Sequence, residues 1–440
     1  MCYKPLHIKN KKLDFDMYRD SALLGVPCGT CFECRNAIRM AWYTRAYYEY
    51  LDCQSKNGRV FYVTLTFAPK FLPTYNGVSC FDKRKVQLFL KRLRKNLNIE
   101  GIKYFICSEY GGVTHRPHHH GLIYVPNCQH LTIHDICEEI RRCWFYGFVS
   151  YGSRGAICQN AAAVNYVCKY ICKDMSFDYD AVPKKYAPFH LQSKGFGQYI
   201  IDKYCLYDLS SIDTFNAFKK GFVKVELDSG YSYVMIPQYI TRKILYDVEY
   251  YEENGQKKPR WILNDFGKSV KKSRFDIEVK ESVQRFDTLF NSIENILYDS
   301  KRLEMFNRSA NSNFATAIAV RFQLQKVDFE ELAMYCSLYK DRVVITSLDN
   351  DSFLDASPLP LFSYPSIEYA LDVKFGFREP DYDTSKNLSQ QAYKVSPDFE
   401  YAISIYNALL YVQGYYAQKE FDKKERESAQ RKKLEKLRIK

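Results

Sequence analysis

The stretch THRPHHHGLIYV, residues 114–125, decides how this chain is read. It holds four of the chain's eight histidines, and three of them open an apolar run that predicts a β-strand. Side chains alternate faces along a strand, so His118 and His120 share one face and His119 takes the other. Two imidazoles two residues apart on one face can grip a single metal ion. The preceding segment IKYFICSEY (102–110) reads as another strand, and the loop GGVTHRP between them is short, so a hairpin is expected. A register that sets Glu109 opposite His118 brings its carboxylate to the same face, whereas a slip of one residue turns it away. The expected set is two imidazoles and one carboxylate with open coordination positions. It suits Mn²⁺ or Mg²⁺ as a Lewis acid, or Fe²⁺ as in non-haem oxygenases.

Working outward, GRVFYVTLTFAPKFLP (58–73) reads as a strand ending at Pro69, and DKRKVQLFLKRLRKNLN (82–98) as an amphipathic helix. Val86, Leu88, Phe89, Leu93 and Leu97 form its expected apolar side. IHDICEEIRRCWFYG (133–147) predicts a helix, FVSYG a short strand, and NAAAVNYVCKYICKDM (160–175) a further helix. The order predicts an α+β fold, a mainly antiparallel sheet backed by helices. Fourteen of the fifteen cysteines lie between Cys2 and Cys205, which suggests a boundary near 205. The expected segments are 1–57, with cysteines and a basic aromatic helix; 58–205, with the sheet; 206–420, a separate C-terminal domain of unknown role; and a basic tail, 421–440.

The 440 residues carry a formal net charge of +13 and 16% aromatics, 38 of them tyrosines. Basic groups neutralise phosphates and aromatic faces stack on bases, so the composition favours single-stranded nucleic acid as partner. No apolar run approaches the ~20 residues of a membrane span, and the first residues lack a signal-peptide core, so no membrane role and no export are expected. An odd number of cysteines without export predicts reduced thiols in a cytoplasm.

In NYVCKYICK, residues 165–173, Tyr166 and Tyr170 are four apart and share one face of the expected helix. Lys169 and Lys173 flank them, while Val164, Val167, Cys168 and Ile171 form the opposite apolar stripe. A phenol with a pKa of about 10 is a poor nucleophile until its anion is stabilised. A nearby metal on the scissile phosphate, and lysines that favour phenolate and hold phosphate oxygens, supply that stabilisation. In-line attack by tyrosine then conserves the bond as a phosphotyrosine ester, available for rejoining.

PHHHGLIY, with SEYG before it and Y-x-x-x-K-Y-x-x-K after it, resembles the HUH endonucleases that start rolling-circle replication. More narrowly, the chain is similar to replication initiators of the Microviridae, in particular the gokushovirus branch. The motifs VTLTF (63–67), SEYGGVTHRPHHHG (108–121), AAAVNYVCKYICK (161–173), PCGTCFECR (27–35) and PFHLQSKGFGQYII (188–201) carry the resemblance, over roughly the first 200 residues. It implies an HUH endonuclease-like fold and a metal on His118, His120 and an acidic residue best matched by Glu109. It also implies nicking of phage origin DNA, single-stranded or supercoiled, with a 5′-phosphotyrosine and a free 3′-hydroxyl that primes the host polymerase, in the host bacterial cytoplasm. Paired tyrosines allow one to hold the old 5′ end while the other cuts again. His119 departs from the bulky hydrophobic residue of the family motif. The only GKS, Gly267–Ser269, lacks the glycine of a phosphate-binding loop, so unwinding is assigned to a host helicase.

PCGTCFECR sets Cys28, Cys31 and Cys34 at C-x2-C-x2-C, and Cys2 is the candidate fourth ligand for a tetrahedral Zn²⁺, with plain reduced thiols the other reading. An iron–sulfur run is excluded, because position 38 is isoleucine. Two rival functions follow from the parts taken separately. One is an iron oxygenase; the other is a zinc-containing nucleic-acid-binding protein without catalysis.

Overall fold

Three stretches with strand alternation, VFYVTLT, YFICSEY and HHHGLIYV, build the centre of one sheet. The structure is a computed structural model and describes residues 2, 6–9, 23–111, 116–151, 155–159, 164, 168, 183–227, 230–310, 324, 327–339, 371–372, 375, 377 and 397–438. In chain order the elements are β1 (Leu6–Lys9), β2 (Leu23–Val26), α1 (Phe32–Ser55), β3 (Arg59–Thr66), β4 (Thr74–Tyr75), β5 (Val78–Ser79) and α2 (Lys83–Leu97). Then come β6 (Lys103–Tyr110), β7 (Pro117–Val125), α3 (Ile133–Cys143), β8 (Val149–Ser150), β9 (His190–Gln192), α4 (Tyr199–Lys203) and α5 (Ile212–Lys220). The hairpin β10 (Phe222–Leu227) and β11 (Gly230–Met235), helix α6 (Gln238–Leu245), and β12 (Tyr246–Glu253) with β13 (Gln256–Leu263) follow. Helices α7 (Asp265–Ser273), α8 (Phe275–Asn291), α9 (Ile293–Leu297), α10 (Ser300–Ala310), α11 (Phe329–Tyr339) and α12 (Pro397–Arg438) complete the described elements.

The chain packs as two compact units, residues 36–261 and residues 1–35 with 262–440. The segmentation expected at 57, 205 and 420 rests on composition; packing draws its own division at 35 and 261. Cysteine frequency reports thiol content, which need not follow the core.

Within residues 36–261 the sheet has the order β8-β3-β7-β6-β9, and every neighbouring pair is antiparallel. This is the α+β arrangement expected from the sequence. Each face has its own cover. Phe61, Val63, Leu65, Ile106 and Ile123 lie in one buried cluster with Val86, Phe89, Leu90 and Leu93 of α2 and Ile136 and Ile140 of α3. On α2 the fully packed positions include Leu90, which the apolar pattern did not single out, while Leu88 is half-buried. Asp82 caps α2 by accepting from the Arg84 amide, and Thr132 and Asp135 close a capping box on α3, so both helices start where their orphan N–H groups find partners.

The other face carries Val60, Phe105, Cys107, Leu122 and Tyr124, packed with Ala46 and Cys53 of α1. The Trp42 ring stacks on Phe105 at 5.1 Å. Lys103 Nζ on β6 lies 2.7 Å from Glu49 Oε1 on α1, and Glu49 Oε2 accepts from the Gly197 amide at 2.8 Å. Arg45 lies over Trp42 and Tyr239, at 4.2 and 4.5 Å, while its Nε donates to the Phe196 carbonyl. The arginine and aromatic residues of α1 thus serve packing here. Val164 and Cys168, helical and fully buried, belong to this same cluster.

Residues 262–440 build their core from helices. Phe275, Phe286, Phe290 and Leu289 of α8 pack in one cluster with Leu332 of α11 and Ile405 and Leu409 of α12. The basic tail expected from 421 is the continuation of α12, which runs unbroken to Arg438.

One glycine controls how β3 ends. A Cβ on Gly147 would lie 2.1 Å from the Thr66 carbonyl oxygen and 2.6 Å from the Ala68 amide. The same Thr66 oxygen accepts from Trp144 Nε1 at 2.9 Å and from the Phe148 amide at 3.1 Å. Neither backbone group can retreat without breaking these bonds. Gly147→Ala is therefore expected to lower stability by about 2–3 kcal/mol, the scale of core overpacking, read as a shift of the urea midpoint. An unchanged midpoint contradicts this packing.

Candidate metal centre

The register of the β6–β7 hairpin pairs Glu109 with His118 and Cys107 with His120. That is the register under which the carboxylate and the two imidazoles share a face. Glu109, His118 and His120 each offer a ligand atom, and these atoms all lie within 4.8 Å of one another. His120 Nε2 is 3.5 Å from Glu109 Oε2, and the two imidazole rings meet edge to face at 4.8 Å. Glu109 and His120 are buried and His118 is half-buried, so the group opens to solvent on the His118 side.

The surroundings orient both rings. His118 Nδ1 lies 3.1 Å from the Arg116 carbonyl oxygen, which only accepts, so Nδ1 carries the proton and Nε2 keeps its lone pair. His120 Nδ1 lies 3.0 Å from the Tyr62 hydroxyl and 3.2 Å from Thr64 Oγ1. Hydroxyls that accept from Nδ1 leave Nε2 as the donor atom, on the side of Glu109. Tyr62 and Thr64 were not singled out as site residues from sequence. Thr64 lies inside the VTLTF motif, and the pairing of Thr64 with His120 is what brings both side chains to this ring. Two nitrogens and one carboxylate, with outer partners on each imidazole, form a donor set that fits a divalent cation.

His119 takes the opposite face, as alternation requires. It is fully buried, its Nδ1 lies 2.9 Å from Ser108 Oγ, and its ring packs among Phe67, Phe81, Trp144 and Phe189 at 5.6–5.9 Å. Here an imidazole fills a hydrophobic side chain's place. Burial, with a smaller contribution from His118, pushes its pKa down from 6.5 to about 3. Between those values the unfolded chain binds a proton that the folded chain refuses, so stability falls as pH drops below about 6.5 and the loss is complete near 3. At about 1.4 kcal/mol per pH unit, His119 should cost the metal-free protein about 2 kcal/mol between roughly pH 6.5 and pH 5. His119→Leu should remove that part of the slope in urea titrations at the two pH values; equal slopes in both proteins would refute it.

Tyr166, Lys169, Tyr170 and Lys173 lie outside the described residues. The structure does bring Cys2, Cys28, Cys31 and Cys34 together, with their Sγ atoms within 4.8 Å of one another in the unit formed by residues 1–35 and 262–440. No helix of the described residues is long and apolar enough to cross a membrane.

Comparison with known proteins concerns the sheet. Residues 60–175 match the Replication-associated protein ORF2 family, a span that contains the ligand triad, Val164 and Cys168. Over 204 residues the chain is 28% identical to the Replication-associated protein VP4 of Bdellovibrio phage phiMH2K, covering 42% of this chain. The match spans 60% of that relative's length. No solved structure matches significantly. Both likenesses bear out the resemblance read from the motifs and are consistent with a Microviridae replication initiator.

Proposed function

We propose that this chain is the replication initiator of a single-stranded DNA phage, an HUH-type nickase and strand-transferase that cuts origin DNA and links itself to the new 5′ end. The observation that carries this reading is the convergence of Glu109, His118 and His120 on one sheet face, inside the span that matches a replication-associated family. A second support is Val164 and Cys168: they flank Tyr166 in sequence and pack in the cluster on that same face.

Glu109, His118 and His120 would hold Mn²⁺ or Mg²⁺, which supplies Lewis acidity toward a phosphate oxygen when bound. Tyr62, Thr64 and the Arg116 carbonyl keep the two imidazoles turned toward that position. Tyr166 or Tyr170 is assigned as nucleophile. Its Oη forms a bond to phosphorus while the bond from phosphorus to the 3′ oxygen breaks. The phenol proton is given up, the leaving 3′ oxygen takes a proton, and the products are a 5′-phosphotyrosine and a 3′-hydroxyl. Lys169 and Lys173 are assigned to phosphate oxygens and to the phenolate. With two tyrosines, the second can cut the regenerated origin while the first retains the original 5′ end. On this reading the protein works in the host bacterial cytoplasm, with a host helicase to unwind and a host polymerase to extend.

The test uses the full chain, Mn²⁺ and a single-stranded phage-type origin. A protein–DNA adduct that survives denaturation supports the proposal. A complex that dissolves on denaturation supports binding without catalysis, and Fe²⁺-dependent oxygen uptake supports the oxygenase that the same three ligands could serve.

A further inference from the structure

Cys2, Cys28, Cys31 and Cys34 stand outside the strand chemistry. Cys31 Sγ lies 3.9 Å from Cys2 Sγ, and Cys28 Sγ lies 4.0 Å from Cys34 Sγ. These separations are about twice a disulfide bond of ~2.05 Å. They are close to the edge of a sulfur tetrahedron around zinc, which a Zn–S bond of ~2.3 Å sets at roughly 3.8 Å.

The backbone prepares the sulfurs as thiolates. The Cys28 amide donates to Cys2 Sγ at 3.2 Å and the Cys31 amide to Cys28 Sγ at 3.3 Å. The Thr30 hydroxyl donates to Cys28 Sγ at 3.5 Å. Donors on sulfur favour the anionic ligand that a metal requires. The turn from Cys28 to Cys31 passes through Gly29 at φ 74°, in the left-handed region that glycine enters without strain. Helix α1 begins at Phe32, so Cys31 and Cys34 sit at its positive end, which further favours thiolate charge.

We propose that these four thiolates hold one Zn²⁺ as a closed structural site, and that the site clasps the chain's amino-terminal segment to helix α12. Four Zn–S bonds form, and each thiol releases its proton to solvent. With four protein ligands no position is left for water, so the role is architectural. The clasp is visible in the contacts beside it. The Phe32 amide donates to Gln418 Oε1 at 2.9 Å, the Phe32 and Phe421 rings lie 4.6 Å apart, and the Arg35 guanidinium sits 5.5 Å over Phe421. Cys2 is thereby joined to a knuckle that docks nearly four hundred residues further along the chain, within one compact unit. This inference does not depend on the nickase reading.

The experiment is elemental analysis of the full chain after dialysis against EDTA, with Co²⁺ exchange of the same protein. About one zinc per chain is expected. Co²⁺ should give the intense visible bands of tetrahedral cobalt with thiolate-to-metal charge transfer. Cys2→Ser should lose the retained zinc, while the His118→Ala, His120→Ala double variant should keep it. The cobalt spectrum needs no substitution, so a misfolded variant does not decide the matter. Zinc removal should also speed amide exchange at Cys31 and Phe32 by at least about tenfold. Absence of zinc, iron with sulfide absorption, an octahedral cobalt spectrum, or full zinc retention in Cys2→Ser overturns the site. Unchanged amide exchange overturns the clasp.

Discussion

Replacing Tyr166 and Tyr170 together by phenylalanine is expected to abolish the denaturation-resistant adduct, a loss of at least about 10⁴-fold in strand cleavage. Phenylalanine keeps the ring and removes only the oxygen that would bond phosphorus, and loss of a nucleophile costs enzymes about 10⁶-fold in comparable cases. The single variants should differ. Tyr170, placed in sequence between Lys169 and Lys173, is expected to make the first cut, so Tyr170→Phe should lose most of the initial adduct. Tyr166→Phe should keep that adduct and lose the second cleavage that regenerates and joins the circle. Mn²⁺ titration should be unaltered in all three, which separates a chemical loss from a damaged site. An adduct of normal yield in the double variant would move the nucleophile elsewhere.

The second large effect concerns the metal ligands. His118→Ala should weaken Mn²⁺ binding by at least about 100-fold in calorimetric titration, because even outer partners of ligating histidines are worth 10–100-fold. His118 is half-buried and its ring's fixed partner is the Arg116 carbonyl, so folding should survive the truncation. His120→Ala should cost as much in affinity and also some stability, since it leaves the Tyr62 and Thr64 hydroxyls without their imidazole. Adduct formation should fall with affinity in both. His119→Leu, altered between these two positions, should retain Mn²⁺ binding. If all three variants bind alike, the triad is not the metal centre.

Much of the site was legible because a strand has only two faces. His-x-His placed two imidazoles together, and the short loop after Tyr110 made the Glu109–His118 register the expected one; both appear in the fold. What escaped reading were parts defined by partners distant in sequence. Tyr62 looks like an ordinary aromatic strand residue until β3 pairs with β7 and lays it beside His120. The fifth strand, His190–Gln192, is three residues long and shows no period. Leu90 lies beside Leu88 in a run where either could have been the buried position, and only the angle at which α2 meets the sheet chose between them. Helix α12 hides its period among tyrosines that are apolar at one end and polar at the other, so its core positions at Ile405 and Leu409 emerge only from packing.

The placement of His119 between His118 and His120 carries a consequence for how this protein can change. One ribbon supplies an ion's cradle from alternate positions and plugs a dry aromatic box from the position between. A single-residue insertion or deletion inside the ribbon exchanges those duties, pushing two imidazoles into the box and withdrawing them from the ion at one stroke. Length variation should therefore accumulate outside residues 117–125, where added residues leave the parity of the ribbon intact.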